Sequence, residues 1–262
     1  MFEYDFMRLA FLSGTLIAVV SGFVGVFVVA RRLSFLAHIL SEIGFAGAAF
    51  GLFMNWSPLL GMLLFTVFAA FMIGQWNRLE QRSEALISGV SAVAIGLGVA
   101  FLALSSKSGS AATSILFGSI FSLSAQNVWE VVGLTVLVLL IGALLFRRLR
   151  YFAFDYATAQ FALQGVVALE MIFLLLVAVS VAVSAQIVGS LLIFILMTLP
   201  ASAAMRLGKS VNQILALSIG FALFGVWSSL ALSYWLNLPV SFFIALIEAA
   251  IYFVSLAKKS TR

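Results

Sequence analysis

Two runs, Leu9 to Ala30 and Val128 to Phe146, are long and apolar enough to cross a lipid bilayer, for which about 18 apolar residues suffice. Others of similar character follow along the chain. No soluble core can absorb them: 64% of the 262 residues are hydrophobic and 9% charged, against roughly 45–50% and about 25% in an ordinary soluble domain. Inside hydrocarbon each backbone N–H and C=O must be satisfied within the protein, so the runs must be helices and the breaks belong at the interfaces. The fold class that follows is an all-α, polytopic transmembrane bundle occupying residues 1–262 as a single domain.

Charges, prolines and Gly-Ser clusters place the spans at 9–30, 34–54, 58–76, 85–105, 128–146, 166–184, 187–204, 212–235 and 240–257, about nine crossings with eight to ten possible. Residues 1–30 begin with Glu3 and Asp5 and show no small-residue cleavage site, which reads as a retained span rather than a signal peptide. With the amino terminus outside, Arg31, Arg32, Arg78, Arg82, Arg147, Arg148, Arg150, Arg206, Lys209, Lys258, Lys259 and Arg262 all fall on the cytoplasmic side, twelve of the fourteen Lys and Arg residues. Only Arg8 and Lys107 fall opposite, as the positive-inside rule requires. The carboxyl terminus is then cytoplasmic. The same pattern explains the net charge of +5 without nucleic acid. Cysteine is absent, which removes disulfides and thiolate metal sites.

Two connections are more than turns. Ser106 to Asn127 contains an apolar stretch, Ile115 to Leu123, too short to cross; a half helix or re-entrant piece on the outer side is expected. Tyr151 to Gln164 mixes aromatic and small residues around Asp155, which suits a short helix lying along the cytoplasmic surface where a partner could hold it.

A charge inside a span costs roughly 2.5–3.5 kcal/mol at a helix centre, so each one is a candidate functional residue. His38, the one histidine, and Glu42 are four residues apart on the second span and therefore share a helix face. They lie on the order of 6–12 Å in from its start near Ser34. An imidazole with a carboxylate suits zinc or manganese, and equally makes an internal ion pair, since one chain supplies only two ligands here. A two-fold dimer would bring four together. Glu248 sits well inside the last span and either hydrogen-bonds in the packing or lines a conduit. Glu170 falls at the start of the sixth span. Gly208-Lys209-Ser210 imitates the end of a phosphate-binding loop, but Ala203 stands where that loop needs glycine. No hydrolytic triad can be assembled around a single membrane histidine, so the chain is read as no enzyme.

Four stretches in order, Val28-Val29-Ala30-Arg31-Arg32-Leu33-Ser34-Phe35-Leu36 with Ser41 and Gly47, Leu116-Phe117-Gly118-Ser119-Ile120, Val188-Gly189-Ser190-Leu191-Leu192 continuing to Leu199-Pro200-Ala201, and Leu232-Ser233-Tyr234-Trp235-Leu236-Asn237-Leu238-Pro239, resemble the membrane subunits of the zinc/manganese/iron class of bacterial ABC importers. The resemblance runs along nearly the whole chain. It implies a multi-pass permease of the bacterial cell membrane, working as a homodimer with cytoplasmic ABC ATPases and an extracellular metal-binding protein. The cargo would be a divalent transition metal, zinc first, then manganese or iron, with no cofactor held by this chain and ATP hydrolysed on the partner. Family members carry Asp where His38 stands and His where Glu42 stands, positions that hold metal in the path; here the two ligand types are exchanged. Phe154, Asp155, Ala159 and Gly165 approximate the family's coupling helix, within about 151–165, with Tyr156 in place of the usual Pro. An ATP-independent metal carrier is the alternative reading.

Overall fold

The computed structural model describes residues 4–76, 84–105, 108–118, 120, 125–156, 158–159 and 164–257. Arg78, Arg82, Lys107, Lys258, Lys259 and Arg262, named above for orientation, lie outside the described residues, as do Phe121 to Leu123 and parts of the 151–165 segment. Among the described residues there is no strand, and the helices are α1 (Asp5–Ala30), α2 (Ser34–Phe53), α3 (Pro58–Trp76), α4 (Glu84–Leu104), α5 (Ser108–Phe117), α6 (Ala125–Leu144), α7 (Phe146–Phe154), α8 (Val166–Val188), α9 (Ile193–Leu207), α10 (Val211–Leu236) and α11 (Val240–Ala257). Seven are long and apolar enough to cross a membrane, and shorter apolar helices cover Ser88–Leu104 and Ile193–Leu207. At 15 residues, α9 is about 22 Å long, less than the ~30 Å of hydrocarbon in a bilayer.

Three boundaries differ from the sequence reading. α8 runs to Val188 and α9 begins at Ile193, because the break falls at Gly189, whose φ of 98° no helix accommodates. The short helix expected within Ser106 to Asn127 covers Ser108–Phe117, so it starts in the Gly-Ser-rich part ahead of the apolar stretch, and it stops at Gly118, again with positive φ. The surface helix begins at Phe146, ahead of Tyr151: in α7 the side chains of Leu149, Phe152 and Ala153 are buried while Arg147, Arg148 and Arg150 are not.

The long helices pack in two groups. α2 lies against α3 and α4, and it meets α3 so closely that Gly47 and Gly61 touch backbone to backbone with no room for a Cβ on either. α1 lies against α9 and α10, which with α11 form the second group, and α6 rests on α1. α8 runs between the groups and touches α1, α2 and α3. α1 and α2 barely pack on each other although only three residues join them. α1 and α10 are antiparallel: the Ser218 hydroxyl donates to the Gly22 carbonyl (2.8 Å) and the Trp227 indole N–H to Thr15 Oγ1 (2.9 Å). Several hydroxyls within spans turn back on their own helices, Ser13 to Leu9, Ser180 to Leu176 and Ser229 to Gly225, which satisfies their hydrogens without water.

Enclosure is uneven. The apolar window of α2 is 72% buried and that of α6 only 28%, which puts α2 at the centre of the bundle and leaves Trp129, Leu140 and Leu144 on α6 to face lipid.

Candidate functional site

The site is built on α2. α1 closes in a Schellman motif, with the Leu33 N–H donating to the Val28 carbonyl (2.9 Å) and the Arg32 N–H to the Val29 carbonyl (3.0 Å). Arg32 occupies the left-handed position, φ 57°, that glycine usually takes. The chain therefore turns into α2 at Ser34 without slack. One turn later His38 and Glu42 project from the same face, with Nε2 of His38 3.4 Å from Oε1 of Glu42.

Neighbouring helices hold the pair from both sides. Ser91 of α4, itself buried, donates its hydroxyl to Oε2 of Glu42. The ring of Phe194 on α9 lies 5.0 Å from the His38 ring. Between the two ligand candidates, the buried Ser41 hydroxyl donates to the Ser190 carbonyl in the α8–α9 turn. The Ser190 hydroxyl is buried and has no hydrogen-bond partner among the described residues. Although α2 is the most enclosed span, the side chains of His38 and Glu42 remain 37% and 20% accessible, in line with the exposed Phe35. A polar face left open in the middle of an apolar bundle is the geometry of a path or of a face awaiting a second copy.

Two of the sequence motifs meet beside this face. The N–H groups of Ser190 and Leu191 donate to the carbonyls of Ile115 and Leu116 at the end of α5 (3.0 and 3.2 Å). Gly118 and Gly189, at φ 81° and 98°, press backbone on backbone at this junction, and a Cβ on either would collide with the other strand of chain. Apolar side chains around the junction, with Thr113, Ser114 and Ser241, line an open cavity of about 940 Å³ that no ionisable side chain lines among the described residues.

Glu248 is elsewhere. It is fully buried in α11, its carboxyl lies against Gly225 of α10 in the space a side chain there would need, and neither oxygen has a hydrogen-bond partner among the described residues. It does not join His38 and Glu42: among the described residues no three His, Asp or Glu side chains converge on a metal-sized site.

In the 151–165 segment, Phe154 ends α7 and Asp155 breaks the helix. The Asp155 carboxylate accepts from the Thr158 N–H (3.2 Å) and starts a further turn that buries Ala159. Gly165, at φ 77°, opens α8. Glu170 faces Arg31 at 3.9 Å.

Sequence reasoning singled out His38, Glu42 and Glu248 but missed Ser91, Ser190, Phe194 and the contacts of Arg31. Ser91 is one serine among several in apolar helices, and nothing local says that it alone reaches a carboxylate.

A bundle of apolar helices closed around a span that carries an accessible imidazole and carboxylate defines a polytopic membrane transport protein. The chain belongs to the ABC 3 transport family, whose model matches residues 3–259, and it is a multi-pass ABC permease of the bacterial cell membrane. It is 27% identical over 259 residues to the manganese import system permease protein ScaB of Streptococcus parasanguinis, with 97% of this chain and 90% of that protein covered. The manganese transport system membrane protein MntC of Listeria monocytogenes is 24% identical over 254 residues, with 97% and 90% covered. The fold of the present chain is similar to that of a chain in the structure of PsaBC from Streptococcus pneumoniae in complex with Fab, with a TM-score of 0.87 and 22% identity over 97% of this chain and 91% of that one.

Proposed function

We propose that this chain is the membrane-spanning subunit of an ABC importer for a divalent transition metal, that manganese is its cargo, and that His38 and Glu42 hold the ion on its way through. The observation that carries this is the open polar face on α2, where an imidazole nitrogen and a carboxylate steadied by Ser91 lie together inside an apolar bundle. Manganese replaces zinc as the first choice: ScaB and MntC are named for manganese, and a site with carboxylate and hydroxyl oxygens around one nitrogen is hard enough to suit it.

Two side chains do not complete a coordination shell. A second copy of the chain related by a two-fold axis would double them, and the accessible line of Phe35, His38 and Glu42 is the surface available for that. ATP is hydrolysed by cytoplasmic partner subunits gripping the 151–165 segment, and an extracellular binding protein delivers the ion. Closure of the ATPases then rocks one helix group against the other and exposes the site to each side in turn.

The test is manganese uptake by the permease reconstituted with its ATPase and binding protein. His38→Asp alone, which leaves two carboxylates, is expected to lower uptake at least about tenfold, on the scale of disturbing one ligand's environment. Adding Glu42→His restores one imidazole and one carboxylate four residues apart and should recover most of it. Wild-type uptake in both His38→Ala and Glu42→Ala removes these residues from the path.

A further inference from the structure

Arg31 stands at the α1–α2 turn, and its side chain does more there than orient a span. The guanidinium lies over two aromatic rings of the 151–165 region, 4.3 Å from the Phe152 centroid and 4.0 Å from the Tyr156 centroid. Its Nη2 faces the Glu170 carboxylate at 3.9 Å, and both side chains are largely enclosed. The two rings meet edge to face, 5.6 Å apart, and Phe152, fully buried, is braced in turn by Phe173 of α8 at 5.8 Å. Exposed arginines sampling solvent do not collect two ring faces and a carboxylate. Planar and delocalised, the guanidinium is the one cationic side chain that can stack on aromatic faces while donating in its own plane.

The backbone of Arg31 is equally committed. Its N–H donates to the Phe27 carbonyl (3.0 Å), and the next two N–H groups close the Schellman motif. The Leu33 carbonyl then accepts from the Ala37 N–H (3.1 Å), inside α2. A displacement applied to the Arg31 side chain therefore reaches Ser34 through three residues that are all hydrogen-bonded, with His38 one turn beyond. α1 and α2 belong to different packing groups and barely touch, so movement at the end of α1 reaches α2 through this turn and not through side-chain packing between the two helices.

We propose that Arg31 is a clasp that transmits movement of the 151–165 segment to α2, and so couples the ATPase to the His38–Glu42 face. Arg31 is a positioning residue: it touches neither metal nor nucleotide. The inference rests on the importer reading above, in which the 151–165 segment is the docking surface of the ATPase.

The experiment compares Arg31→Ala, Arg31→Lys and Tyr156→Leu in the complex with its ATPase, reconstituted in liposomes, reading manganese transported per ATP hydrolysed, the affinity of permease for ATPase, and thermal stability. Arg31→Lys keeps the charge opposite Glu170 but loses the planar stack, and Tyr156→Leu keeps an apolar volume but removes one ring face. Each should reduce manganese per ATP by about thirtyfold, the equivalent of one desolvated cation–π contact, with ATPase affinity unchanged. Arg31→Ala should lose more. Unchanged manganese per ATP in Arg31→Lys and Tyr156→Leu overturns the proposal, as does a loss of uptake that only follows a loss of ATPase binding. Failure of the importer reading looks different: the wild-type complex itself would then move no manganese.

Discussion

Gly189→Ala tests whether the junction of α5 with the α8–α9 turn holds the site together. At φ 98° and ψ 148°, residue 189 sits in a region that is essentially restricted to glycine and costs any other residue roughly 1–3 kcal/mol. The new Cβ would also run into the Leu116 carbonyl and the Gly118 backbone. Relief comes by withdrawing α5, which breaks the hydrogen bonds from Ser190 and Leu191 to Ile115 and Leu116, worth about 0.5–1.5 kcal/mol each. The total is roughly 2–6 kcal/mol. On the scale of about 2–4 °C per kcal/mol for a chain of this size, the melting temperature in detergent should fall by about 4–24 °C.

Gly220→Ala is the control. Gly220 lies within α10 with open space where a Cβ would go, so alanine there gains about 0.5–1 kcal/mol of helix preference and should raise the melting temperature slightly. The Ser190 carbonyl displaced in Gly189→Ala also accepts the Ser41 hydroxyl on the His38–Glu42 face, so manganese uptake should fall in Gly189→Ala and not in Gly220→Ala. If Gly189→Ala melts at or above Gly220→Ala, the junction is not the constraint described.

Ser91→Ala removes the hydroxyl donor to Glu42 and should weaken apparent manganese affinity about tenfold, within the range seen when the partner of a metal ligand is lost. It would appear as a raised KM for uptake with an unchanged maximal rate, and a lowered maximal rate with constant KM would count against it. Glu248→Met replaces a buried carboxyl that has no partner among the described residues with an apolar chain of similar length, which should stabilise the protein by about 1–3 kcal/mol. A lower melting temperature in Glu248→Met contradicts that account of Glu248.

The helical bundle was legible because hydrophobic length and charge placement are one-dimensional signals. The stretches expected to cross all became helices, and the misplaced boundaries include two where a glycine dihedral, not hydropathy, decides the break. Gly189 ended α8 although the residues around it are as apolar as the helix. His38 and Glu42 were legible for a related reason: a spacing of four residues fixes their shared face before any tertiary contact forms. Ser91, Ser190 and Phe194 were not, since their approach to α2 depends on how three other helices pack. Arg31 was read for its charge and its place in a family-like stretch, but its aromatic partners lie more than a hundred residues further along the chain.

The contacts of the His38–Glu42 face divide between the two packing groups. Glu42 is tied to Ser91 on α4, which packs with α2, so that hydrogen bond survives a relative swing of the groups. His38 against Phe194 and Ser41 against the Ser190 carbonyl both cross the seam to α9 and the turn before it, and these must loosen when the groups part. An ion held by His38 and Glu42 as proposed would therefore be bound by one side chain whose surroundings are constant and another whose surroundings change with conformation. Only a difference of that kind lets a cargo ion favour one state over the other. On the proposed role of this pair, carboxylate and imidazole would not be equivalent at these two positions: Glu42 would keep the ion attached, and the freedom of His38 would set when it can leave.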